Sequence, residues 1–218
     1  MKKLSFMGLA LLASAAATPA WSNTLTFDGD ICGPAGDGAC SNFSRIGQNY
    51  GDVAGVVDVV YYNRAVTPAS ADTSLSFWDA NYSHLTTVAW GGSSDGVGRA
   101  EIFLNPVGGG GITLLGLDLG AYPNSDRSTQ LSIFTGAGVE LFATPQFTVL
   151  GATPSSFTIN LFSQDGIRIQ WGPSSYNAGI DNVSFSVGAP VPEPETYAFV
   201  AAGLVLVGAV TRRRRAQA

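Results

Sequence analysis

The sequence predicts an all-β fold, an antiparallel β-sandwich of jelly-roll type. Three observations point to it. Short runs alternate apolar and polar residues, as strands with one buried face do. Gly, Pro, Asn, Asp and Ser punctuate these runs, with 27 glycines and 11 prolines in 218 residues. No segment of reliable length carries the helical period in the body of the chain.

In chain order, the first element is a leader. Lys2 and Lys3 precede an apolar stretch over 4–17 and then small residues, the three-part layout of a secretory signal peptide. Ala20 and Ser22 satisfy the small-x-small rule, which assigns 1–22 to the signal and makes Asn23 the new N-terminus; cleavage after Ala20 is the alternative. Residues 23–188 then suit one domain. Cys32 and Cys40, in "DICGPAGDGACS", are the only cysteines, and in an exported chain they read as a local disulfide.

Strands are expected at 24–27, 56–62, 75–78, 86–90, 101–104, 146–150 and 180–187, in addition to three clearer stretches. In "GITLLGLDLGAY", Leu115, Leu117 and Leu119 share a face. In "TQLSIFTGAGVELF", Gly136 to Gly138 turn a hairpin. In "SFTINLFSQDGIRIQW", Phe157, Ile159 and Leu161 point inward, Asp165-Gly166 turns the chain, and Ile167, Ile169 and Trp171 return on the same side of one hairpin. Joining so many short strands by turns favours two packed sheets.

Charge excludes one class of partner. Residues 23–195 hold five arginines and no lysine against all sixteen carboxylates, a net charge of −11. Nucleic-acid binding needs clustered Lys or Arg, so none is expected. The Gly-rich runs "NPVGGGGI" and "AWGGSSDGVGRA" belong in turns, since neither opens a helix with the Lys and Ser/Thr of a phosphate loop.

Catalytic chemistry has few places to form. His84 is the only histidine, which leaves no multi-histidine zinc site and reads as a loop residue. The body's glutamates are Glu101, at the start of a strand, and Glu140, outward in "VELF". Its aspartates sit mostly beside turn residues, so a carboxylate pair for glycan hydrolysis has no local signature. The body is therefore expected to be non-enzymatic and to need no cofactor. Sugar binding asks for aromatic rings and polar partners. Trp78, Tyr82, Trp90, Tyr122 and Tyr176 lie near expected turns, and Thr158, Asn160, Arg168 and Gln170 share the outward face of the expected hairpin; core packing accounts for the aromatics as well.

The segment "YNAGIDNVSFSV", with "TLTFDGD" as its paired opening strand, resembles the terminal strands of galactose-binding-like jelly rolls, a superfamily rich in carbohydrate-binding modules. That resemblance implies a structural calcium near the termini, with Asp28 and Asp181 as carboxylate donors. By parity Asp181 sits with Val183, Phe185 and Val187 at the edge of the core, where an unpaired carboxylate is costly. A cation or backbone amides in an Asx-type turn would satisfy it.

The tail is the most specific feature. Pro192-Glu193-Pro194 lies in an extended, proline-rich spacer and is followed by Thr196, Tyr197 and Ala198. Residues 196–211 form an uncharged, Gly-containing apolar stretch, about 24 Å long as a helix, which suffices to span with local thinning. Arg212, Arg213, Arg214 and Arg215 stop it with the basic end in the cytoplasm. In combination, 189–218 closely resembles the PEP-CTERM sorting signal. The resemblance implies recognition by an exosortase, a membrane cysteine protease or transpeptidase, in a Gram-negative bacterium making exopolysaccharide. The expectation is an exported protein, anchored first in the inner membrane with its body outside and then sorted to the cell envelope or released. An exopolysaccharide-binding body is the alternative, and a glycan hydrolase the third reading.

Overall fold

The computed structural model describes residues 21–64, 74–92 and 98–188. Its strands are β1 (Trp21–Leu25), β2 (Val57–Arg64), β3 (Ser76–Trp78), β4 (Val88–Trp90), β5 (Arg99–Pro106), β6 (Ile112–Ala121) and β7 (Arg127–Thr129). They continue as β8 (Leu131–Thr135), β9 (Glu140–Ala143), β10 (Phe147–Val149), β11 (Ser155–Ser163), β12 (Ile167–Trp171) and β13 (Ala178–Val187). One sheet runs β11-β6-β13-β4-β3 with β1 also beside β13; the other runs β2-β5-β12-β8-β9; β7 and β10 pair separately. Every pairing is antiparallel.

The fold is the expected β-sandwich. Alternation drives it: Val57, Val59 and Tyr61 of β2, Ile102 and Leu104 of β5 and Ile167, Ile169 and Trp171 of β12 bury one face of the five-stranded sheet. Leu114, Leu117, Leu119, Ile180, Val183 and Phe185 bury the facing side of the other. All join a single apolar core, where each such side chain contributes about 1.5–3 kcal/mol by leaving water. β13 organises the six-stranded sheet. Its 183–187 half pairs with β1 and its Ile180 with Ala89 of β4, so those two strands share one edge of β13 while β6 takes the other.

Three local expectations are corrected. Leu115 is exposed, because a bulge inserts it between Leu114 and Gly116, which oppose Phe185 and Ser184; only Leu117 and Leu119 face the core. Asp165-Gly166 is no hairpin turn: β11 lies in one sheet and β12 in the other, so the segment is a corner between sheets. Thr158 and Asn160 therefore lie on a different outer face from Arg168 and Gln170. Gly166, at φ +94°, takes the left-handed backbone this corner requires. Asp165 locks the corner to the β8–β9 hairpin, accepting from Ala137 N at 2.7 Å and from the Ser163 hydroxyl; the Ser163 bond does most to hold its carboxyl below the usual range.

The Cys32–Cys40 disulfide forms as expected. β1 begins earlier than expected, with Trp21 and Ser22 paired to Val187 and Ser186. The remainder of the expected leader, the membrane stretch 196–211, Pro192, Glu193, Pro194 and Arg212 to Arg215 lie outside the described residues. Among the described residues no helix is long and apolar enough to cross a membrane.

Candidate functional site

The five aromatic residues that the sequence scatters over almost a hundred positions converge. β3 and β4 pair at the end of the six-stranded sheet, and alternation sends Phe77 and Ala89 into the core while Trp78, Val88 and Trp90 point to the other face. There Tyr82, Val88 and Trp90 form a second apolar cluster, with Trp78, Leu85, Tyr122 and Tyr176 packed against it. Ring centroids are 5.3 Å apart for Trp78 and Tyr122, 5.1 Å for Tyr82 and Tyr122 and 4.9 Å for Trp90 and Tyr176. The Tyr82 hydroxyl donates to Tyr176 O at 2.6 Å, and burial pushes its pKa far up, so it remains a donor at any physiological pH.

Phe43, which the sequence does not single out, completes the cluster. Its ring stands edge-on to Trp78 at 4.8 Å and Trp90 at 5.9 Å while remaining 59% exposed. Its backbone is left-handed at φ +73°, which a bulky side chain adopts only under constraint. The constraint is visible. Phe43 N donates to Phe77 O and Phe77 N to Ser44 O, Ser44 N closes a turn onto Ser41 O, and the disulfide ends three residues earlier at Cys40.

Charged groups are committed elsewhere. Glu101 points to the outer face of the five-stranded sheet yet is wholly buried, with Arg64 Nη2 and Arg168 Nη1 each 2.8 Å from Oε1 and Gln170 donating to Oε2. Arg168 also lies over the Phe103 ring at 4.0 Å and donates to Gly136 O. Glu101 escaped sequence reasoning because its partners belong to strands whose order is invisible there. Glu140 is exposed on edge strand β9. His84 is exposed in a left-handed turn, φ +67°. Gly92-Ser93-Ser94-Asp95-Gly96 has the spacing of a nucleophile elbow, and Ser93 to Gly96 lie outside the described residues.

Asp181 is only 4% exposed, and its Oδ1 accepts from Asn182 N at 2.7 Å. Burial, with smaller contributions from the nearby Asp28 and Asp118 charges, pushes its carboxyl up to about 7. Asp28 takes the Thr87 hydroxyl at 2.6 Å and Asp118 the Asn182 amide at 2.8 Å. Among the described residues no set of three or more His, Cys, Asp or Glu is arranged to hold a metal ion. The calcium implied by the jelly-roll resemblance has no ligand set here, and the turn amide is the observed partner of Asp181.

Beyond β13 the chain passes into the tail. Residues 190–215 match the family model of the PEP-CTERM protein-sorting motif. The PEP-CTERM match contains Pro192, Glu193, Pro194 and all four arginines. It marks the chain as one exported and sorted through a membrane-associated exosortase, its processing partner. None of the curated proteins matches the chain. The PEP-CTERM assignment therefore speaks for the tail, and the body must be read from its own chemistry.

Proposed function

We propose that this is an exosortase substrate whose β-sandwich body is a non-catalytic module, held at the inner membrane with the body outside until the tail is processed. The observation that carries it is the PEP-CTERM match, which starts three residues after β13 ends at Val187 and takes in the apolar stretch and the four arginines. The non-catalytic reading is supported by where the candidate acids go: Glu101 to two arginines, Asp165 to Ser163 and Ala137, Asp52 to Val59 N and Asp126 to Gly151 N. The test replaces Pro192, Glu193 and Pro194 by alanine in the producing cell. The variant accumulates as a longer, membrane-retained chain on immunoblots; processing identical to the parent overturns the assignment.

A carbohydrate-binding body is the second reading. The aromatic cluster on the outer sheet face favours it, because pyranose rings offer apolar C–H faces to such rings.

A further inference from the structure

The cluster around Phe43 has three properties that core packing does not account for. A single large ring is presented to solvent on strained backbone, beside half-buried Trp78, Tyr122 and Tyr176. Core formation gains nothing from exposing Phe43, and a left-handed phenylalanine costs on the order of 1–3 kcal/mol. Beneath it the Trp90 indole Nε1 is buried with no acceptor among the described residues, where a buried donor ordinarily finds one. Around it the rim is hydrogen-bonding: Asn81, Asn124 and Ser125 are exposed beside Tyr82 and Tyr122, with Asn124 N on Asn81 O at 2.9 Å, and the exposed Asp79 follows Trp78 with its N donating to Asn42 Oδ1 at 2.9 Å.

We propose that Phe43, Trp78 and Tyr122, with Trp90 beneath, form the binding surface for a neutral glycan. Sugar rings stack on Phe43 and Trp78, and the Asn81–Asn124 rim pairs with the hydroxyls. The occupant is neutral because the net charge of −9 over residues 23–188 repels a polyanion such as a uronate polymer. The disulfide and the Ser41–Ser44 turn preorganise Phe43, so binding does not pay to order it. This inference rests on the carbohydrate-binding reading and adds its site and ligand class.

The test uses the processed chain purified from producing cells, in affinity electrophoresis through gels containing cellulose-derived, mannan and xylan polymers, the producer's own exopolysaccharide, and polygalacturonate as the charged control. At least one neutral polymer retards the parent saturably. Phe43→Gly and Trp78→Ala each weaken retardation tenfold or more. Phe43→Gly does so with an unchanged or raised melting temperature, since glycine removes the strain, and this separates a binding role from a structural one. Retardation that survives both substitutions overturns this site and leaves the carbohydrate-binding reading standing. Retardation by polygalacturonate alone overturns the neutral ligand. No retardation by any polymer overturns both, as does a Phe43-dependent dimer in sedimentation, which would make the patch a contact between copies.

Discussion

Trp21 lies directly opposite Val187 in antiparallel register, so the body's first and last strands run side by side and the chain enters and leaves the sandwich at the same end. The chain therefore heads for the sorting motif from the end of the sandwich where β1 begins. The Trp21 ring also meets Phe185 edge-on at 5.9 Å, which ties the first residue of β1 to the core of β13.

That pairing bears on export processing. Cleavage after Ala20 keeps Trp21 and Ser22 in β1, whereas cleavage after Ser22 removes two of the strand's five pairings. N-terminal sequencing of the mature chain is expected to read Trp-Ser-Asn. A chain starting at Asn23 loses the ring contact and the edge pairing, about 1–2 kcal/mol, which lowers the melting temperature by about 3–6 °C. Equal melting temperatures for the two forms would show that Trp21 adds nothing.

The Glu101 network is structural in this reading, and its removal shows in stability. Glu101→Ala strands Arg64 and Arg168 beside an emptied buried site and costs about 3 kcal/mol in urea unfolding. Arg64→Ala costs less, about 1–2 kcal/mol, because Arg64 is 36% exposed and Arg168 and Gln170 still hold the carboxylate. A larger loss for Arg64 than for Glu101 would reverse this assignment.

Asp181 gives the body a pH signature. Its folded carboxyl titrates near 7 against an ordinary value of 3.8, so between those values the folded state holds a proton that the unfolded state has released. Stability contributed by this group is present below about pH 4, declines as pH rises to 7 and is level above. Asp181→Asn retains the acceptor for Asn182 N and removes the titration, so the variant exceeds the parent by about 2–3 kcal/mol at pH 8 after solvent screening, with the gap closing toward pH 4. Urea unfolding across that range, with and without EDTA, measures it. A variant less stable than the parent at pH 8, or a parent weakened by EDTA, would show a bound cation in place of the proton.

Some of this was legible in the sequence because it is local. Period-two alternation exposed most strands, close cysteine spacing gave the disulfide, and the tail motif is contiguous from Pro192 to Arg215. Other features escaped because alternation records which side of a strand faces the core and nothing else. Phe157, Ile159, Ile167 and Ile169 all face the core, and the pattern is the same whether β11 and β12 share one sheet or lie across the sandwich from each other. One extra residue at Leu115 reversed a face that the pattern had assigned.

The sequence by itself determined the all-β class, the disulfide and the sorting address, since each depends on residues near one another along the chain. Tertiary structure alone decided that Glu101 is enclosed by Arg64, Arg168 and Gln170, and that Phe43, Trp78, Tyr82, Trp90, Tyr122 and Tyr176 meet on one surface. Strand order brings these residues together, and order is set by which long-range pairings bury the most apolar surface at once, a property of the whole chain and not of any one stretch.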